Sequence, residues 1–473
     1  MQADSFLENV SAVFHHTNAR CYLSLDFSFF ELFRHFVVHG QLIFKPAIIG
    51  YPLGGYVAQV AMVVWNEFRN DARVLKEAET LCTAGHQVTV HALHTPGVTH
   101  EHEVLPSGVR VVRVARSPLW KWRKRKKAPA GSGEGFAAKA SPPGANGPIG
   151  RLSPFRQVLR ICARLWTHAG LLWHLTRCRA HVVHAHDVNT LPTAWLAAVF
   201  SGASLVYDAH EISTSREGYT SFRKLVAVVE KALMPRANGT ITTTVARAKF
   251  FARAYGIERP VVLQNRPRRQ QVLASNRIRD ELGLVRPWPI IVYQGGVQQG
   301  RGLERLARLA VDVPDAYFVF IGGGRLEVSL RSIVAELQLE ERVRFIPTVA
   351  LADLPSYTAS ADIGVQPIEN TCLNHYTTDS NKLFEYVQAG LPVVASDLPE
   401  IRRVVREHGL GVLVPESDSV ALAAALRDLV GDEGKRQYYA AQSRKAASVL
   451  NWESQEHELL ALYERVLSNR ASI

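Results

Sequence analysis

The sequence has few cysteines, and they do not group. Five occur in 473 residues (Cys21, Cys82, Cys162, Cys178 and Cys372), an odd number without a Cys-x-x-Cys pair. This disfavours a disulfide-stapled scaffold and the usual zinc-ligand spacings, and it suits a reducing, cytoplasmic setting. There is no convincing run of roughly 18 or more uncharged apolar residues, so no membrane-crossing helix is expected. The nearest candidate, residues 42–65, is broken by Lys45, Pro46, Gly50, Pro52, Gly54 and Gly55. The first residues lack a charged leader with a cleavage site, so no secretory signal is expected either. Gly-x-Gly-x-x-Gly is missing, and with it the usual dinucleotide fingerprint. Acidic residues are outnumbered, 43 against 55 Lys and Arg, for a net charge of +12. Such an excess draws anionic partners: phosphate-bearing substrates, an acidic membrane surface or nucleic acid. No nucleic-acid recognition motif accompanies it, so no nucleic-acid partner is expected.

The composition itself is ordinary for a globular protein, 47% hydrophobic and 21% charged, in a chain long enough for two domains. Residues 1–55 carry an apolar run (Phe27, Phe29, Phe30, Leu32, Phe33, Phe36, Val37) unconnected to the pattern that begins at Val60, and read either as an amphipathic membrane-surface helix or, the reading preferred, as an extension upstream of the first domain. From Val60 the chain alternates short apolar runs with amphipathic segments, the pattern of a doubly wound α/β domain. Strands are expected near 60–65, 87–93, 109–114, 181–186 and 204–207. A helix is expected over 71–84, with Val74, Leu75, Ala78 and Leu81 on one face. A second is expected over 154–178, with Val158, Ile161, Leu165, Leu171 and Leu172 as a buried stripe. Between them lies a Gly-, Ser- and Pro-rich basic loop, 119–150, whose Trp- and Lys-bearing start at 119–127 suits an anionic lipid surface. The same alternation restarts at Ile290. The expected organisation is therefore a first domain over 56–265, a second over 266–450, and a terminal helix from 451 crossing back to the first.

The second domain holds the sharper chemistry. Gly295 and Gly296 end one strand, and Gly322 and Gly323 end the next; both pairs allow close approach of a ligand to the backbone. Arg301 adds a fixed positive charge at the following helix start. Ser380 or Asp379 can cap a helix that opens with Asn381 and Lys382, whose N–H groups would hold a diphosphate. Glu385, one turn inside, can accept hydrogen bonds from a ribose diol. In the first domain, strand alternation places His184 and His186 on one face at a carboxyl edge, with Asp187 beyond, and Asp208, His210 and Glu211 follow the next strand. Histidines beside carboxylates can bind metal, but the reading preferred is that they line a cleft and hydrogen-bond sugar hydroxyls.

From Tyr293 to about Val414, with Gly390-Leu391-Pro392-Val393-Val394 at its centre, the chain resembles the retaining GT-B glycosyltransferases of sequence family four. Asn70 to Ala78, His184 to Asp187, Tyr207 to Glu211 and Asn265-Arg266-Pro267 resemble a branch of that family, and the likeness spans roughly residues 60–465. It implies a GT-B fold, with two Rossmann-like domains facing a cleft, and sugar transfer from a nucleotide sugar to a saccharide or polyprenyl-linked acceptor with retention. No cofactor and no metal are implied, and the absence of Asp-x-Asp agrees. His210, Arg301, Lys382 and Glu385 take catalytic places, Gly295, Gly296, Gly322, Gly323, Ser380 and Asn381 the donor site, and Asn66, Asp71, Arg73, His184, His186, Asp187 and Glu211 the acceptor side. Two departures stand out. The family's first glutamate of Glu-x7-Glu falls on Thr377, with Asn374 as the expected substitute, and Val297 stands where an arginine is common. The competing readings are a nucleotide-sugar 2-epimerase and a non-catalytic sugar-binding scaffold. Asp71 to Ala78 speaks against the first, and Arg301, Glu385 and His210 against the second.

Overall fold

The computed structural model describes residues 57–116, 154–215, 222–270 and 273–471. The apolar run at 27–37 and the basic loop at 119–150 lie outside the described residues.

Two sheets follow one another along the chain. The first has the order β3-β4-β2-β1-β5-β6-β7-β8. Its strands are β1 (Gln59–Val63), β2 (Gln87–His94), β3 (His102–Val104), β4 (Arg110–Ala115), β5 (Val182–His186), β6 (Ser204–Ala209), β7 (Gly239–Thr242) and β8 (Val261–Val262). All pair in parallel except β3 with β4. The three-residue β3 escaped the sequence reading because it is an edge strand with no buried residue. The second sheet, wholly parallel, has the order β11-β10-β9-β12-β13-β14. It comprises β9 (Ile290–Gln294), β10 (Tyr317–Ile321), β11 (Val343–Ile346), β12 (Ile363–Gln366), β13 (Val393–Ser396) and β14 (Gly411–Val414).

Helices cover both sheets, which is why the central strands β5, β6, β9 and β10 are buried along their whole length. In the first lobe these are α1 (Ala72–Thr83), α2 (Pro154–Arg177), α3 (Leu191–Ser201), α4 (Arg223–Leu233) and α5 (Val245–Tyr255). Asp71 caps α1, its carboxylate accepting from the Val74 N–H at 3.2 Å. The second lobe contributes α6 (Leu303–Leu309), α7 (Glu327–Glu336), α8 (Asn381–Gln388) and α9 (Pro399–His408). The tail helix α10 (Glu456–Ala471) sends Leu459, Leu462, Tyr463 and Val466 into the core of the first sheet, beside Val60, Val182 and Ile241. Trp452 anchors the crossing: its indole donates to Thr80 Oγ1 at 2.8 Å and its backbone N–H to Pro267 O at 2.8 Å.

One expectation fails on α2. Leu171 is buried, but Val158, Ile161 and Leu165 are about half exposed, at 52%, 54% and 47%. Only the C-terminal half of α2 lies against the domain. Its first half carries apolar spacing with nothing from the described residues over it.

Candidate active site

A cavity of about 1520 Å³ separates the lobes, walled by segments that follow the carboxyl ends of β1, β6 and β9 and by the start of α8. Ligands settle at such strand ends because helix starts and glycine turns leave backbone N–H groups open there.

On the second-lobe wall, Arg301, Ser380, Asn381, Lys382 and Glu385 all line the cavity. The local chain is shaped for them. Ser380 sits at the cap of α8 with φ 58° and ψ 134°, a sparsely populated conformation for a residue with a side chain, and makes no side-chain cap bond. Asp379 does not cap either, because Gln264 of the first lobe donates to its carboxylate at 2.6 Å. The helix start is therefore left without a capping side chain, contrary to the cap expected there. Lys382 folds back over the strand end. A Cβ on Gly295, whose φ is +115°, would lie 2.8 Å from its Cε. Gly322 (φ +130°) packs as tightly, with a Cβ there 2.2 Å from Gly295 O. Gly295, Gly296, Gly322 and Gly323 are not among the residues lining the cavity. What the geometry gives two of them is room for Lys382 and for each other. Burial and the nearby Arg301 lower the Lys382 pKa to about 8. Glu385 accepts from Gln294 Nε2 at 2.5 Å, which fixes its carboxylate at the carboxyl end of β9.

On the first-lobe wall, Asn66, Asp71, Arg73, His210 and Glu211 line the cavity. Asn66 donates to Asp71 Oδ2 at 2.7 Å. His210 Nε2 lies 2.9 Å from Asp208 Oδ2, and its Nδ1 lies 3.7 Å from Asp187 Oδ2. Burial disfavours its charge, but Asp187 and Asp208 outweigh burial and push the pKa up to about 9. The two carboxylates thus favour its charged form at neutral pH.

His184 and His186 are corrected. They do share a face, with rings stacked at 4.3 Å, yet both are buried beneath the cleft floor and outside its lining. The physical reason is that β5 is covered on both sides, so one face of the strand end meets α1 and α10 rather than solvent. His184 Nδ1 pairs with Tyr463 Oη at 2.9 Å, and burial with His186 keeps its pKa well below the usual range. Arg73 is also nearly enclosed. It holds Asp208 by two bonds, 2.7 and 2.9 Å, and donates to Leu263 O at 2.6 Å. One turn on, Glu77 lies 3.2 Å from the same guanidinium. Burial, then Asp208, raise the Glu77 pKa. Glu77, His184, His186 and Asp208 offer ligand-type atoms within 4.8 Å of one another. The positive charge at this cluster is supplied by Arg73, which already occupies both oxygens of Asp208.

Two residues that line the cavity were missed, Arg247 and Lys76. Arg247, on α5, bridges the lobes: it donates to His210 O at 2.6 Å and across the cleft to Asn374 O at 3.1 Å. Asn374, expected at the donor sugar, lines the cavity, and both its amide atoms bond the Ile212 backbone, at 2.8 and 3.1 Å. Thr377 receives Arg247 Nε at 3.2 Å. Lys76 reaches Asn265 Oδ1 at 2.8 Å and the Arg266 carbonyl, and burial lowers its pKa to about 7. Its spacing on α1 marks it only as a polar helix position.

Comparison with known proteins agrees with this architecture. The family described as Glycosyl transferases group 1 matches residues 289–432, and the Glycosyl transferase 4-like domain matches residues 71–268. A D-inositol 3-phosphate glycosyltransferase of Xylanimonas cellulosilytica is 25% identical over 309 residues, which is 61% of this chain and 73% of that protein. Sucrose-phosphate synthase from Thermosynechococcus elongatus superposes with a TM-score of 0.68 at 18% identity, covering 87% of this chain and all (100%) of that one. Anabaena HepE in complex with UDP-glucose superposes at 0.62 and 16% identity, covering 88% and 100%. With one family match on each sheet and the shared two-lobed fold between them, the chain belongs to the group 1 glycosyltransferases and has their GT-B architecture.

Proposed function

We propose that this glycosyltransferase takes its sugar from a nucleoside diphosphate donor and passes it, with retention and without a bound metal, to a saccharide or lipid-linked acceptor. The observation that carries the reading is the start of α8, which lacks a capping side chain and stands beside Lys382 and Arg301, with Glu385 one turn inside. A diphosphate fits there: helix N–H groups and two cations meet its charge, and Glu385 accepts from the ribose hydroxyls. The HepE complex with UDP-glucose makes uridine the first base to test. Asn66, Asp71 and Glu211 lie on the opposite wall, where an acceptor would enter. Synthesis of cell-surface polysaccharide or glycolipid at the cytoplasmic side is the setting this reading favours.

Charge builds on the departing diphosphate as the glycosidic bond lengthens, and Arg301, Lys382 and the α8 start stabilise it. His210, whose charged form its two carboxylates favour, is placed to donate a hydrogen bond to a sugar hydroxyl rather than to act as the base. The acceptor proton then passes to an oxygen of the leaving phosphate on the same face, which fits the retention typical of this family.

Lys382 gives the reading a pH signature. With its pKa near 8 in the free protein, a bound diphosphate raises it, so binding takes up a proton around that pH. UDP affinity measured by calorimetry should weaken by up to about tenfold per unit as the pH rises above 8. Equal affinity at pH 7 and pH 9 would show that Lys382 does not touch the diphosphate.

A further inference from the structure

The first lobe holds a second cavity, of about 420 Å³, at the other end of its sheet. It lies by the C-terminal end of α2, where Gln59, Gln87 and Arg110 begin β1, β2 and β4, and it shares no lining residue with the cleft. Strand alternation explains what faces it. Val88, Val90 and Ala92 enter the core on the other side of β2, so Gln87, Thr89 and His91 are turned toward α2. A sheet face under a helix is ordinarily apolar. This stretch is polar.

His91 is the residue that asks for a ligand. It is 2% exposed, it lines the cavity, and neither ring nitrogen has a hydrogen-bond partner among the described residues. A neutral imidazole carries one donor and one acceptor, and leaving both unpaired when buried is costly. Its ring lies 6.3 Å from that of His174 on α2, and His102 on β3 stands at the same wall. The charge around these rings has one sign. Arg110 and Arg177 line the cavity, and no Asp or Glu of the described residues does. Neither arginine forms an ion pair among the described residues; Arg177 lies instead over Trp173, its guanidinium carbon 3.6 Å from the ring centre. Burial, then His174, lowers the His91 pKa to about 3, and burial, then His102 and Arg177, lowers that of His174.

A cation would add to this crowding, whereas an anion relieves it. Arginine forks match phosphate oxygens, and imidazole, amide and hydroxyl groups supply further donors. The volume is that of a small-molecule site. We propose that this cavity binds a small phosphate-bearing molecule, Arg110 and Arg177 meeting the phosphate and His91 giving its unused ring N–H. The site goes beyond the transferase reading and does not depend on it.

The test is a thermal-shift titration of the full chain with sodium phosphate, with sodium chloride keeping the ionic strength constant. It is run in an Arg301→Ala, Lys382→Ala background, which removes two cations of the cleft. Phosphate should still raise the melting temperature there. Adding Arg110→Ser and Arg177→Ser should weaken the apparent affinity by about tenfold or more. Both side chains are exposed, so folding should be kept, and the melting temperature without phosphate checks this. His91→Phe, which removes the buried ring N–H, should weaken the response as well. An unchanged affinity after the two arginine substitutions would overturn the proposal. So would a background protein that ignores phosphate; if zinc chloride stabilises that protein and His174→Ala abolishes the effect, the histidines form a metal site instead. No readout here uses turnover, so failure leaves the transferase reading standing.

Discussion

Replacing Lys382 by alanine is expected to slow glycosyl transfer by about two to three orders of magnitude while leaving the melting temperature close to that of the parent. The size follows from where the charge sits. Lys382 lies across Gly295 at the end of β9, beside Arg301, at a helix start that lacks a capping side chain. Removing one such donor removes stabilisation that grows as the diphosphate departs, so kcat falls more than affinity. Stability should not fall with it. Burial and Arg301 hold the Lys382 pKa below its ordinary value, so its ammonium disfavours the folded state at neutral pH. Initial rates with saturating donor, together with a melting curve, check both halves. A loss below about fivefold would remove Lys382 from the leaving-group site.

Asp208→Asn should be the most destabilising of the site substitutions, at about 3–5 kcal/mol, because it leaves the buried Arg73 without its paired carboxylate. Burial alone would raise the Asp208 pKa, but Arg73 and then His210 hold it well below the usual range. Its contribution to stability is thus present above the ordinary carboxylate value and lost in acid. His210 runs the other way. With its folded pKa raised to about 9, its contribution is complete below the ordinary imidazole value and lost as pH rises through 9. The gap between parent and variant in urea unfolding should therefore be widest between the two ordinary values and narrow toward pH 9. The variant should also lose activity at lower pH than the parent, as His210 deprotonates more easily. If the variant does not fold, Asp187→Asn reads the His210 shift alone, since Asp187 raises the same imidazole from 3.7 Å. A parent-like pH profile in both variants would contradict the imidazolium assignment.

Much of the architecture was legible because parallel strands covered on both faces read as unbroken apolar runs. Ile290–Gln294 and Tyr317–Ile321 could hardly be anything else. The α8 segment was legible because Ser380, Lys382 and Glu385 combine a helix start with charge. The histidines show where the reading ran out. Alternation placed His184 and His186 on one face, but it cannot say whether that face meets solvent or a covering helix, and the cover comes from Glu77 on α1 and Tyr463 almost three hundred residues away. The stripe on α2 failed for the converse reason: spacing marks an apolar face but not the side it is turned to. Arg247, and the bond from Asn374 to Ile212, were illegible because the partners lie in the opposite lobe, and no local pattern records a contact across a cleft.

The most direct test of the donor-site claim is a thermal-shift and product-release panel with UDP-, GDP-, ADP- and dTDP-sugars, run in the presence of EDTA. One nucleotide family should raise the melting temperature, and the shift should disappear in Arg301→Ala and in Glu385→Ala. The corresponding nucleoside diphosphate should be released when an acceptor is added, with chelator making no difference. If no nucleotide shifts the melting curve at millimolar concentration, the cleft at α8 is not a donor site, and the roles assigned to Arg301, Lys382 and Glu385 are wrong.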